Sequence, residues 1–126
     1  MKSILSTTKA PGAIGPYSQG VEAGGFIYVS GQLPIDAKTG EMPREIKDQT
    51  RQSLDNVKAI LESAGATMDD VLKSTVYLAD MELFSPMNEV YGEYFSEGKY
   101  PARAAFAVKE LPKKALVEIE VVAYKG

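Results

Sequence analysis

The sequence predicts an α+β fold in which one mixed sheet carries two helices on a single face. Three observations support this. Short β-prone runs bounded by glycines open the chain, two segments of helical periodicity lie in its middle, and strand-like segments separate and follow them. At 126 residues the chain suits a single domain, 1–126, large enough to bury a core without metal or disulfide staples.

The elements can be justified in order. "GFIYVSG", Gly25 to Gly31, follows the turn signal "AGG", so 19–23 and 26–30 are expected to form a hairpin. The next stretch, "QLPIDAKTGEMP", reads as loop. From Ile46, apolar and small residues recur at Thr50, Leu54, Val57, Ile60, Leu61 and Ala64, a helical face that Gly65 should stop. "VLKSTVYLA" reads as a strand, and Leu83, Phe84, Met87, Val90, Tyr91, Tyr94 and Phe95 mark a second helix expected to run to about Gly98. Two strands, 102–108 and 115–124, close the chain around a turn at "LPKK".

Composition narrows the chemistry. The chain has no cysteine and no histidine, which removes disulfides, thiol nucleophiles, thiolate metal sites and imidazole acid/base catalysis. Any catalyst must use carboxylates, Tyr, Lys, Ser, Arg or backbone groups, and neither a cofactor nor a metal is expected. With 14 basic against 17 acidic residues, the net charge of -3 disfavours nucleic acid and anionic membrane as partners. The start, "MKSILSTTKA", has too short an apolar patch for a signal peptide, and no later run approaches membrane length; a cytoplasmic protein is expected. Gly12, Gly15 and Gly20 do not form a phosphate loop, because the lysine and hydroxyl that should follow them are missing.

Two helices on one face leave the other face of the sheet uncovered. In the last strand Val117, Ile119 and Val121 point one way, while Leu116, Glu118, Glu120, Val122 and Tyr124 point the other. An uncovered face that mixes apolar and charged residues points to a homo-oligomer. In "PARAAFAV" the same alternation sets Arg103, Ala105 and Ala107 against Ala102, Ala104, Phe106 and Val108. Methyl neighbours would leave the Arg103 guanidinium in a hollow, where its fork of N–H donors fits a carboxylate. The alternative is an ion pair with Glu118 or Glu120. Likewise Tyr17, in the turn "AIGPYSQG", could plug the core, and Ser30 and Gly31 could simply end a strand.

In combination, "KAPGAIGPYSQG", "FIYVSGQLPID", "RQSLDNVKAILESAGA", "NEVYGEYF", "PARAAF" and "LVEIEV" resemble, in this order and spacing, the RidA (YjgF) family of enamine/imine deaminases. The match covers nearly the whole chain, and "AIGPYSQG", "PAR" and "EIE" together are highly specific. The resemblance implies a chorismate-mutase-like fold and a homotrimer, with small 2-imino or 2-keto acids bound between subunits. It implies hydrolysis of reactive 2-imino acids such as 2-aminoacrylate to 2-keto acids and ammonia, a metabolite damage-control activity. It places the carboxylate-binding role on Arg103, a water-activating role on Glu118, and pocket roles on Tyr17, Ser30, Gly31 and Phe84. The Arg103 clamp and the Glu118 carboxylate are expected side by side, with Glu118 ionised. One position departs from many bacterial members, which carry cysteine where this chain has Ala105, so no thiol can take part. Two other functions remain open: a regulatory module that binds keto acids without turnover, and an endoribonuclease or translation inhibitor, labels borne by some relatives. The acidic balance, the absence of histidine and the lack of a basic patch with interleaved aromatics argue against the latter.

Overall fold

The computed structural model describes all residues, 1–126, as one six-stranded mixed sheet with two helices on one face. The strands are β1 (Ser3–Leu5), β2 (Gly20–Ala23), β3 (Phe26–Gln32), β4 (Val71–Leu78), β5 (Ala102–Ala107) and β6 (Val117–Tyr124), in the order β1-β2-β3-β6-β4-β5. All neighbours pair antiparallel except β4 and β5, which are parallel. Helix α1 spans Ile46–Ser63, and α2, Phe84–Tyr91, connects the two parallel strands. No helix is long and apolar enough to cross a membrane.

The β2–β3 hairpin turns at Gly24 and Gly25, with φ of 57° and 85°, the pair of left-handed conformations that a two-residue turn needs and that glycine adopts without strain. In β6 the alternation of the sequence becomes two faces: Val117, Ile119, Val121 and Ala123 are buried under the helices, while Glu118, Glu120 and Val122 are only partly covered. Leu54, Val57, Ile60 and Leu61 of α1 complete the core with Val76 and Leu78 of β4 and Met87 and Tyr91 of α2. The face away from the helices exposes Phe26, Tyr28, Phe106 and Tyr124.

Two elements differ from the sequence reading. The expected helix to Gly98 stops at Tyr91: one tighter turn follows at Gly92–Tyr94, and Phe95 is already extended at φ -126°, ψ 146°. Gly92 weakens the helix at that point, and the Tyr94 hydroxyl instead reaches α1, donating to Asp55 Oδ1 (2.7 Å) and the carbonyl of Arg51 (3.2 Å). Strand β1 was not anticipated. Its three residues are too few to show a period, and pairing with β2 alone defines it.

The polar face of α1 also has a structural task. Gln49, Ser53 and Asn56 are buried, and they serve backbone groups of the loops beside the sheet. Asn56 donates to the carbonyls of Leu33 and Ile35 (both 3.0 Å), and Ser53 to that of Gln32 (2.6 Å). Gln49 donates to Pro43 O and accepts from Leu116 N, each at 2.8 Å. A loop that carries unpaired carbonyls can lie against the core only when such partners exist.

Candidate functional site

The sequence-predicted site residues fall into two groups on opposite faces of the sheet. The first group gathers where β3 breaks register with β6: Val29 pairs with Val121 and Gln32 with Ile119, so Ser30 and Gly31 together oppose one residue. Such a bulge bends the strand and re-aims its side chains. Val29 and Gln32 are buried, while Ser30 and Gly31 line an open cavity of about 680 Å³ with Tyr17 and Glu118.

The Glu118 carboxylate depends on Gly31. A β-carbon at residue 31 would overlap Oε2 of Glu118 and lie 3.0 Å from its Cδ, so only glycine leaves the carboxylate its place. Ser30 Oγ donates to Ser18 O (2.6 Å), which commits its proton and leaves its lone pairs available. Tyr17 is 51% exposed, which rules out its alternative role as a core plug. The loop before it is tied down by Gln19, which sequence reasoning missed: its amide donates to the carbonyls of Thr7, Ala10 and Pro11 and accepts from Thr7 N. The "SQG" glutamine offered no signal beyond its place in a quoted motif. Asp36 and Lys113 are the other charged residues of the cavity wall. Lys113 and Lys114 are both left-handed, with φ of 57° and 59°, an uncommon conformation for two successive non-glycine residues.

The second group lies at the sheet edge. In the parallel β4–β5 register Arg103 pairs with Ser74, whose buried hydroxyl shares a 2.6 Å hydrogen bond with that of Tyr91 on α2. Arg103 therefore faces the helices. Its Cζ lies 4.7 Å from the centre of the Tyr91 ring and 5.4 Å from that of Phe84, and its Nη1 donates to Asn88 Oδ1 (2.6 Å). The expected hollow between Ala105 and Ala107 is absent, because aromatic rings from α2 occupy the space beside the guanidinium. Ala105 itself packs against the core. Asn88 was also missed; its spacing of four from Phe84 and three from Tyr91 on one helix was the available signal.

Arg103 forms no ion pair with Glu118 or Glu120, and it is not beside Glu118 in the same chain. That corrects the expected electrostatics. Glu118 is pushed above the ordinary glutamate range, first by burial and then by the like charge of Glu120, with no arginine of its own chain to offset them. Phe84 is likewise a wall for Arg103, not for the Glu118 cavity. No group of three or more acidic side chains gathers to hold a metal ion.

A family model described as Endoribonuclease L-PSP matches residues 7–125. The chain belongs to this family, known also as RidA/YjgF. Within the RidA/YjgF family it is 59% identical, over 126 residues and 99% of each chain, to a RutC family protein of Pyrococcus horikoshii. It is 46% identical to the 2-iminobutanoate/2-iminopropanoate deaminase of Escherichia coli K12, again over 99% of each chain. Among solved structures, E. coli TdcF with bound serine superposes with a TM-score of 0.93 at 44% identity, covering 98% of this chain and 99% of that one. RidA from an Antarctic Psychrobacter gives a TM-score of 0.94 at 46% identity over the same shares. The RidA/YjgF relatives thus include reactive-intermediate deaminases, while the Pyrococcus relative carries only a family name.

Proposed function

We propose that this protein hydrolyses small 2-imino acids, formed by tautomerisation of 2-enamino acids, to 2-keto acids and ammonia, at sites between adjacent copies of a homotrimer. The observation that carries this reading is the division of the site. A cavity with a desolvated carboxylate on one face and a guanidinium with uncommitted donors on the other are complementary halves, and two neighbouring copies can bring them together. The deaminase at 46% identity supports the same chemistry.

Arg103 of one copy holds the substrate carboxylate through its free N–H groups, while Tyr91, Phe84 and Asn88 fix the guanidinium plane. Glu118 of the neighbouring copy accepts a proton from a water that attacks the imine carbon. A carboxylate raised by burial is a stronger base near neutral pH than an exposed one. That proton passes to the nitrogen to give a carbinolamine; its hydroxyl proton then moves, again by way of Glu118, to the amine, the C–N bond breaks, ammonia leaves, and the carbon keeps the water oxygen as a ketone. Ser30 Oγ accepts a hydrogen bond from the imine N–H, since its own proton is engaged, and Tyr17 covers the nitrogen side. The ribonuclease reading lacks such support: the cavity wall sets Glu118 and Asp36 against Lys113 alone, a poor surface for phosphate groups.

The test supplies freshly generated imino acid and follows keto acid or ammonia. Wild type should accelerate release, whereas Glu118→Gln should lose about 10²-fold or more in rate and still bind a keto acid. Mixing Arg103→Ala and Glu118→Gln subunits, each nearly inactive, should restore about a quarter of the sites. No acceleration by wild type over buffer would refute the enzymatic reading, and no recovery on mixing would refute the shared site.

A further inference from the structure

On the open face of the sheet, Tyr77 of β4 lies directly across from Glu118 in the antiparallel register, yet its hydroxyl donates to Glu120 Oε1, one step along β6 on the same side. The Phe106 ring of β5 packs edge-on against Tyr77 from the opposite side, with centroids 5.5 Å apart at 90°, so the tyrosine is clamped between two strands. This bond, and after it burial, push the Tyr77 hydroxyl up to about 12, which keeps it a neutral donor throughout the physiological range.

We infer that Tyr77 and Glu120 form a positioning pair that strengthens Glu118 as a base: Tyr77 holds the Glu120 carboxylate in place, and the fixed like charge beside Glu118 favours transfer of a proton onto it. The inference rests on the proposed function above. Glu118 faces Glu120 on β6, Tyr77 on β4, Asp36 and Lys113 in the flanking loops and Tyr17 in the N-terminal loop, while β3 contributes Ser30, Gly31 and Gln32, which do not titrate. Among these, the like charge of Glu120 adds to burial in raising Glu118. The acidity of Glu118 is thereby set partly by a residue that lies outside the cavity wall.

Two readouts test the pair. Carbon-13 titration of the glutamate carboxyls, with the Glu118 signal assigned through Glu118→Gln, should show Glu118 titrating lower in Glu120→Gln than in wild type. The acid limb of the kcat/KM profile for imine hydrolysis should move down by the same amount, an effect that a merely structural residue would not produce. Tyr77→Phe should shift both in the same direction by less, and it serves as the variant if Glu120→Gln fails to fold. A Glu118 titration that matches wild type in whichever variant folds overturns the pairing. If wild type hydrolyses no imine, the proposed function falls while the carboxyl titration still decides the electrostatic claim.

Discussion

The Glu118 cavity and the Arg103 edge are built by different means. The cavity is held from beneath by buried amides and hydroxyls, Gln19, Gln49, Ser53 and Asn56, that reach across the chain to loop backbone, and no buried side-chain polar atom lacks a partner. Arg103 rests half-buried on the surface of α2, against two rings and one amide from a single helix. One half is therefore tied to the stability of the whole fold, and the other can be altered nearly independently of it.

The largest expected effect tests that independence. Arg103→Ala should reduce kcat/KM by about 10³-fold while the melting temperature moves little, because the side chain contributes charge-assisted donors and almost no core packing. Arg103→Lys should be nearly as damaged, since a point charge replaces the planar fork. Next is Asn56→Ala, which strands the carbonyls of Leu33 and Ile35 in a site where Asn56 is 1% exposed. Denaturant unfolding should show a loss of about 2–3 kcal/mol. An unchanged midpoint would mean that the cavity wall does not depend on α1. Gly31→Ala should leave keto-acid affinity, measured by calorimetry, close to wild type and lower kcat by about 10-fold, because the new methyl displaces Glu118 without touching Arg103.

The smallest effect concerns pH. A carboxyl raised in the folded state stabilises the protein below its ordinary range near pH 4 and loses that contribution as the pH rises through the raised value. In the ligand-free protein at neutral pH, Glu118→Gln should thus melt about 1–2 °C higher than wild type, a gain that fades below about pH 4. Calorimetric melting at both pH values would check the sign, and a variant less stable at neutral pH would show that Glu118 is held by a favourable partner.

The parts of the fold visible in the sequence were those with a repeating pattern. The face of α1 from Thr50 to Leu61 and the in-and-out alternation of Val117 to Tyr124 both appear in the structure with the expected sides buried. The side of the sheet taken by Arg103 was also readable as an alternation, but which layer it faced depended on parallel pairing with β4, a contact between segments distant in sequence. The same limit applies to Gln49, Ser53 and Asn56. A polar residue that tethers a buried loop looks, in sequence, the same as one bathed in water. Gly31 is a related case, since its role comes from a carboxylate on a strand far along the chain.

One feature of the layout reaches beyond any single molecule. Arg103 and Glu118 look outward from opposite faces of the same sheet, so a lone chain cannot close both around one small ion. Under the proposed function, catalytic competence is then a product of encounter: a newly synthesised chain is inert, and dilution below the concentration at which the copies dissociate should extinguish turnover with every chain still folded. Activity would follow the cellular abundance of the protein more steeply than in direct proportion, and scarcity alone would act as an off state without any effector.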